Sequence, residues 1–110
     1  MMKMLENYLR CLREGDAEKM ASLFSENAHF FDEGPVKMNQ EPISLNGREK
    51  IKKFFKNVFS SQGALIPKNV LFNGNAMRYD VEIGGILFNA LGLMKMDDEF
   101  ISEYRVNVLK

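Results

Sequence analysis

The spacing of apolar residues at the start of the chain predicts two short helices. Residues 3–14 carry apolar side chains at the spacing of one helical face, at Leu5, Tyr8, Leu9 and Leu12. Gly15 can adopt the left-handed conformation that ends such a helix, and Asp16 can cap a second one. The apolar face of the second helix comprises Ala17, Met20, Leu23 and Phe24. Since Tyr8 lies on an apolar face, we expect its ring to point inward and its hydroxyl to need a partner there.

A short strand follows over residues 28–32. Alternation places Ala28, Phe30 and Asp32 on one face, and His29 and Phe31 on the other. If the Phe30 face meets the core, Asp32 lies at the edge of that core. Glu33-Gly34-Pro35 breaks the strand, so residues 33–44 are predicted to be a polar loop.

A third helix is predicted over residues 47–60. Its apolar positions follow the i, i+3, i+4, i+7, i+8 spacing of an amphipathic helix, at Ile51, Phe54, Phe55, Val58 and Phe59. Asn46 and Glu49, three residues apart, resemble a capping box at its start.

The second half of the chain changes to the alternation of strands. The predicted elements are a strand over 66–72, a type I′ turn at Asn73-Gly74, a half-exposed strand over 75–83, a hairpin at Gly84-Gly85, an apolar central strand over 86–96, a turn at Asp97-Asp98 and a last strand over 100–109. We expect Gly84, Gly85 and Gly92 to be bend or bulge points if the sheet curves. Helices followed by hairpin-linked strands predict an α+β fold with a mostly antiparallel sheet. A chain of 110 residues is too short for two separate cores, so residues 1–110 are predicted to form a single domain.

The charge balance gives no support to several kinds of partner. The 15 basic residues equal the 15 acidic ones, which argues against binding to nucleic acid or to an acidic membrane surface. The cluster Lys50, Lys52, Lys53 and Lys56 is best explained as the solvated face of the third helix. No apolar run is long enough to span a bilayer, and no signal peptide is recognisable, so a cytoplasmic location is expected.

The residues that commonly bind metals or act as nucleophiles are scarce. Cys11 is the only cysteine, which rules out an internal disulfide and favours a buried structural thiol over a nucleophile. His29 is the only histidine, and it faces away from Asp32, as expected for a surface or interface residue. We therefore expect neither a metal nor a cofactor. The eight methionines either pad the core or form an adaptable apolar binding surface.

The order of these segments resembles a known superfamily. The succession of Gly15-Asp16, Leu23-Phe24-Ser25-Glu26-Asn27-Ala28, Asp32, Leu45-Asn46-Gly47-Arg48-Glu49 and Ile101-Ser102-Glu103-Tyr104-Arg105 is similar to the nuclear transport factor 2-like superfamily. Within it, the SnoaL-like polyketide cyclases and the ketosteroid isomerases are the nearest matches. The resemblance implies three helices packed on a strongly curved, cone-shaped, mostly antiparallel sheet that encloses a pocket. It also implies a homodimer formed through the outer face of the sheet.

The resemblance also implies a site. Ketosteroid isomerases use a tyrosine of the first helix as an oxyanion donor and an aspartate after the first strand as the base; Tyr8 and Asp32 match these positions. Their third functional residue, a protonated aspartate on a central strand, is missing here, because Gly92 is the nearest match and Asn89 is the only neutral hydrogen-bonding side chain of that strand. The expected pocket residues are Phe30, Phe54, Phe55, Met77, Tyr79, Asn89 and Met94.

Three functions remain open from the sequence. The first is cofactor-free proton transfer next to the carbonyl of a small hydrophobic molecule, with Asp32 as base and Tyr8 as donor. The second is a binding protein that holds an apolar ligand without turnover. The third is a dimerising interaction domain whose pocket is filled by its own side chains. In the alternatives to catalysis, Asp32 caps the turn that follows it, and Tyr8 is a core aromatic.

Overall fold

A computed structural model describes residues 1–109 of the chain. Three α-helices, one 3₁₀ helix and six strands follow one another in the order α1 (Met2–Glu14), α2 (Ala17–Ser22), β1 (Phe24–Asp32), 3₁₀ helix (Gly34–Met38), β2 (Ile43–Asn46), α3 (Arg48–Gln62), β3 (Lys68–Asn73), β4 (Ala76–Ile83), β5 (Ile86–Asp97) and β6 (Phe100–Leu109). The strands form one sheet in the order β2-β1-β6-β5-β4-β3. Only the β1–β6 pairing is parallel, and all others are antiparallel. The α+β class and the mostly antiparallel sheet are therefore confirmed.

The start of the chain folds largely as predicted. Gly15 ends α1 in the left-handed conformation, and its amide donates to the Cys11 carbonyl at 2.9 Å. The Asp16 side chain caps α2 by accepting a hydrogen bond from the Lys19 amide at 3.0 Å. The prediction that Leu23 and Phe24 continue this helix was wrong. Phe24 already begins β1, where pairing with β6 supplies hydrogen bonds that a longer helix would have had to replace.

The segment 33–44, predicted to be a polar loop, contains regular elements. It contains the 3₁₀ helix, which ends at Asn39 in the left-handed conformation, and the start of β2. β2 pairs with β1 as an edge strand, with Phe30 opposite Leu45. Alternation signals a strand only weakly in four residues, so tertiary pairing decided this element.

The third helix begins without the predicted capping box. Its N-cap is Gly47, and no side chain of residues 1–109 caps the first turn with a hydrogen bond. The Gly47 amide donates instead to the Ala28 carbonyl of β1, at 2.8 Å. Since Gly47 has φ 102°, a conformation that favours glycine, the helix starts there and not at Asn46.

The hairpins of the second half lie where the sequence placed them, with one change of turn type. Both glycines of the β4–β5 turn, Gly84 and Gly85, have positive φ. Between β3 and β4 only Gly74 has positive φ, and Asn73 belongs to the strand. A type I′ turn needs positive φ at both central residues, so that prediction was wrong.

The sheet is open, with β2 and β3 as free edges, and it is not the strongly curved cone that the resemblance implied. Gly92 is not a bulge, because it pairs regularly with Met77 and Val106. The irregularities lie elsewhere: within Phe24–His29 of β1, within Lys68–Leu71 of β3 and between Lys95 and Met96 of β5.

The three helices cover one face of the sheet, and the core lies between the helices and that face. In β4 the alternation is as predicted: Met77, Tyr79 and Val81 are buried. The central position of β5 is confirmed as well. Its outer face is not covered, since Leu87 and Leu93 are 53% and 38% exposed.

Candidate ligand-binding site

A cavity of about 270 Å³ lies between the helices and the inner face of the sheet. Its walls are predominantly apolar, and the polar side chains in them belong to Tyr8, Asp32, Tyr79, Ser61 and Gln62. Ser61 and Gln62 are exposed, as is Met38 of the 3₁₀ helix, which marks where the cavity meets solvent. Such a volume is close to the lower end of the roughly 300–1,000 Å³ typical of ligand pockets.

Asp32 lies at the last position of β1 and lines this cavity. Its Oδ1 accepts a hydrogen bond from the Gly34 amide at 2.8 Å. The next residue, Glu33, is fastened to β6 twice: its amide donates to the Val106 carbonyl at 3.0 Å, and its Oε1 accepts from the Val108 amide at 2.6 Å. The carboxyl group of Asp32 therefore both caps the turn and faces the cavity, on a segment held firmly against the sheet.

Burial changes the acidity of Asp32. Removal from water raises the pKa of its carboxyl above the ordinary value, because desolvation disfavours the charged form. The Gly34 hydrogen bond opposes this shift, and the neighbouring charge of Glu33 adds to it. A carboxylate with a raised pKa is a stronger base than an exposed one.

Tyr8 reaches the same cavity from α1 and is almost fully buried, with 2% of its surface exposed. Its ring packs against Tyr104 at a centroid distance of 4.4 Å and edge-on against Phe55 at 6.2 Å. Its hydroxyl makes no hydrogen bond within residues 1–109, and its oxygen is not completely enclosed by protein atoms. The hydroxyl therefore opens onto the cavity that Tyr8 lines. Burial is the main reason why the pKa of this phenol is raised, and the nearby Tyr79 and Asp32 raise it further. The raised pKa keeps the phenol protonated, so that it can donate a hydrogen bond.

A second phenol, Tyr79 of β4, also lines the cavity. Its hydroxyl lies 3.4 Å from the hydroxyl of Tyr104 on β6, a long hydrogen bond. The Tyr104 ring crosses β5 above Gly92, where a Cβ atom would come within 1.9 Å of the Tyr104 hydroxyl oxygen. Glycine at position 92 is therefore what makes room for this phenol.

The other predicted pocket residues divide into three groups. Phe30, Phe54 and Phe55 line the cavity together with Tyr79. Met77 and Met94 are buried in the core but do not reach the cavity wall. Asn89 lies on the outer face of β5, opposite Asp80, because alternation turns it away from Phe88 and Ala90, which face inward. The expectation that Asn89 lines the pocket is thus wrong.

Several lining residues were absent from the sequence prediction. They are apolar side chains that close the walls: Val58, Val81, Phe88, Ala90, Val106 and Val108. For the strand residues, alternation already contained the signal, since each has the parity of a predicted inward residue. The sequence did not show which of the inward residues of each strand lie level with the cavity.

The remaining reactive side chains lie elsewhere. His29 faces outward, with Nε2 at 2.9 Å from the Ser44 hydroxyl. Cys11 is buried, and its pKa is raised by burial and by the nearby Glu14, so it is no activated thiolate. Lys52 and Lys56 pair with Glu18 at 3.7 and 3.5 Å on the solvated side of α3.

Over residues 1–109, no group of three or more potential metal-binding side chains comes together. Within the same part of the chain, no helix combines the length and the apolar character needed to cross a bilayer.

Three helices on a mixed six-stranded sheet, with a mostly apolar cavity between them, define an α+β pocket protein. The profile of the SnoaL-like domain matches residues 5–104, and the chain belongs to this family, within the nuclear transport factor 2-like superfamily. None of the curated proteins matches the sequence significantly.

Solved structures show the same fold at low identity. A hypothetical protein with a ketosteroid isomerase-like fold from Catenulispora acidiphila, in complex with trimethylamine, is 12% identical with a TM-score of 0.73, covering 96% of this chain and 84% of that one. A nuclear transport factor 2-like protein of unknown function from Cytophaga hutchinsonii is 15% identical with a TM-score of 0.71, covering 98% and 88%. An uncharacterised protein with a cystatin-like fold from Silicibacter pomeroyi is 14% identical with a TM-score of 0.74, covering 100% and 76%.

Proposed function

We propose that this protein binds a small, hydrophobic carbonyl compound and catalyses cofactor-free proton transfer next to the carbonyl group. Asp32 is the base, and Tyr8 donates a hydrogen bond to the oxygen on which negative charge develops. The observation that carries the proposal is that this carboxyl group and this phenol face one mostly apolar cavity.

The environment of Asp32 suits a base. Its Oδ1 is held by the Gly34 amide, and Oδ2 makes no hydrogen bond within residues 1–109. Fixing one oxygen orients the carboxylate and leaves the other for a proton of the substrate. Its raised pKa brings the carboxyl closer to the acidity that general bases need near neutral pH.

The environment of Tyr8 suits an oxyanion donor. The Tyr8 side chain is almost fully buried, while its hydroxyl is neutral, opens onto the cavity and makes no hydrogen bond among the described residues. A donor that is already oriented in a site poor in water stabilises a developing oxyanion without reorganising.

The cavity also limits the kind of ligand. Its described lining includes no lysine, arginine or histidine, while Asp32 supplies one potential negative charge. An anionic substrate would have no counter-charge there, so a neutral molecule is favoured. The volume of about 270 Å³ points to a small one.

Exchange of α-protons tests the reaction without knowledge of the natural substrate. We expect the protein to accelerate deuterium exchange at the α-carbons of small cyclic ketones in D₂O, followed by NMR. Asp32→Asn should lower the rate by about 10²-fold or more. Tyr8→Phe should lower it by a similar factor, since it removes one donor.

Glu82→Gln is the matched control, because it neutralises an exposed carboxylate on the outer side of β4. This variant should exchange at the wild-type rate. Exchange that is no faster than in buffer, or that survives in Asp32→Asn, would contradict the proposal.

The alternative function is binding without turnover. The carboxyl group of Asp32 already caps a turn, and β5 supplies no carboxylate to the cavity, which favours this reading. In that case ketones bind to wild-type protein and to Asp32→Asn equally, and neither protein exchanges their protons.

We also propose that the protein forms a homodimer through the outer face of its sheet.

A further inference from the structure

Position 92, the nearest match to the carboxylic acid that ketosteroid isomerases use as a second oxyanion donor, is a glycine and does not line the cavity. Asp32, Val106, Gly92 and Met77 form one row across β1, β6, β5 and β4. A carboxylic acid at position 92 would face the helices from this row, but glycine has no side chain to offer. The space above it is filled by the Tyr104 hydroxyl, which comes from the neighbouring row.

Tyr104 itself does not reach the cavity wall. It is fully buried, with its ring against Tyr8 and its hydroxyl next to that of Tyr79. Tyr79 is the one of this pair that lines the cavity. The two phenols therefore form a chain that runs from the core to the cavity.

We propose that Tyr79 is the second donor to the carbonyl oxygen of the substrate, and that Tyr104 is a positioning residue that holds and polarises it. In this arrangement the Tyr104 hydroxyl donates a hydrogen bond to the Tyr79 oxygen, which leaves the Tyr79 hydroxyl hydrogen free to point into the cavity beside Tyr8. The inference rests on the proposed function, because it concerns the same substrate oxygen.

The electrostatics of the two phenols agree with this direction. Burial raises the pKa of both, but the hydrogen bond from Tyr104 lowers the pKa of Tyr79, whereas the same bond raises the pKa of Tyr104. Tyr79 is thus the more acidic member of the pair. In a dry site, a hydrogen bond received at its oxygen strengthens the one that it gives.

A phenolate probe tests the donors directly. Para-nitrophenolate carries its charge on an oxygen, as an enolate does, and the visible absorbance of the probe reports its ionisation. The measurements use Asp32→Asn, which mimics the protonated base and removes charge repulsion. In this background, Tyr79→Phe should weaken phenolate binding about tenfold, since a hydrogen bond to a charged group is lost.

The effect of Tyr104→Phe should depend on Tyr79. With Tyr79 present, we expect phenolate binding to weaken about threefold, because Tyr79 loses its polarising partner. In the Tyr79→Phe background the same change should have no effect. Met94→Leu, a buried neighbour of Tyr104 that does not line the cavity, should leave binding unchanged. Each substitution of tyrosine by phenylalanine removes only a hydroxyl, and thermal unfolding checks that the fold is kept.

The outcomes separate this inference from the proposed function. If Tyr8→Phe weakens phenolate binding and Tyr79→Phe does not, Tyr79 is no donor and only the inference fails. If Tyr104→Phe has the same effect with and without Tyr79, its positioning role is overturned. If phenolate does not bind at all, or if Tyr8→Phe also has no effect, the oxyanion site and the inference fail together.

Discussion

At the scale of single residues, position 92 shows how one missing side chain shapes a site. A Cβ atom there would lie 1.9 Å from the Tyr104 hydroxyl oxygen and 2.6 Å from the adjoining ring carbon. Neither atom can give way by bending a flexible chain, because both belong to a rigid phenol packed against Tyr8. The glycine and the tyrosine therefore depend on each other, although they are 12 positions apart in sequence.

Gly92→Ala should accordingly destabilise the protein by about 2 kcal/mol, the scale of overpacking in a tight core. Chemical denaturation measures this change. Asn89→Ala on the outer face of the same strand is the control and should stay within about 0.5 kcal/mol of the wild type. Equal stability of Gly92→Ala and the wild type would show that Tyr104 does not occupy this space.

Asp32 should make stability depend on pH. Because its pKa is raised in the folded state, the native protein holds this proton more tightly than the unfolded chain does. The free energy of unfolding therefore falls as pH rises from the ordinary carboxyl range through the raised pKa, and stays lower above it.

Asp32→Asn should thus melt at a higher temperature than the wild type at neutral pH, and the difference should shrink as pH falls through this window. Asparagine keeps an oxygen for the Gly34 amide, whereas Asp32→Ala loses it and serves as the comparison. Calorimetry over a pH series measures the difference. A constant difference at all pH values would mean that Asp32 does not titrate as a buried acid.

At the scale of elements, the two faces of the sheet differ in burial and in composition. The inner face carries the cavity and the core, while the outer face combines leucines with charged side chains. On the outer face, Leu71 lies opposite Arg78, Arg78 opposite Leu91, and Leu93 opposite Arg105. Exposed leucines of this kind mark a surface that gains from being covered.

We propose that a second copy of this chain covers the outer face. The net charge of zero creates no overall electrostatic repulsion between two copies. Light scattering should give the mass of a dimer, and Leu93→Lys should shift it towards the monomer at equal concentration. Lys53→Ala on the exposed side of α3 should leave the dimer intact. A wild-type protein that is monomeric at every concentration would refute this arrangement.

At the scale of the whole molecule, all three tyrosines of the chain are buried around one place. Tyr8 comes from α1, Tyr79 from β4 and Tyr104 from β6, so they meet only when helices and sheet are packed together. Burial raises the pKa of each phenol. The folded state therefore favours their neutral form.

Alkaline titration should reveal this convergence. Unfolded tyrosines ionise near pH 10, so the native state holds more protons than the unfolded chain above that value and loses stability as pH rises. The near-ultraviolet absorbance of tyrosinate should then increase together with loss of circular dichroism, in one transition. Gradual ionisation with the fold intact would show that the phenols are accessible.

The sequence predicted more of the fold than of the site. Periodicity located α1, α3, β4 and β6 within a few residues, because repeated burial on one face leaves a local pattern. β2 and the start of β1 escaped prediction, since partners remote in sequence determine them: β2 pairs with β1, and β1 runs parallel to β6. The capping box also failed, because the Gly47 amide bonds to Ala28 of another strand.

The same division holds for the cavity. Helical spacing turned Tyr8 inward and strand alternation turned Phe30 and Asp32 inward, and these directions follow from backbone geometry alone. Alternation could not say which inward residues reach the cavity, so Met77 and Met94 were expected there and Phe88 was not.

The sequence by itself determined the α+β class, the inward faces of the helices and of β1, β4 and β6, and the absence of a carboxylate from residues 86–96. Each of these depends on residue type and on a period of two or 3.6 residues. Only the tertiary structure decided that Asp32 and Tyr8 share a cavity, that the sheet stays open, and that Tyr104 fills the space above Gly92. These are contacts between residues far apart in sequence, and only the packing of helices against the sheet brings them together.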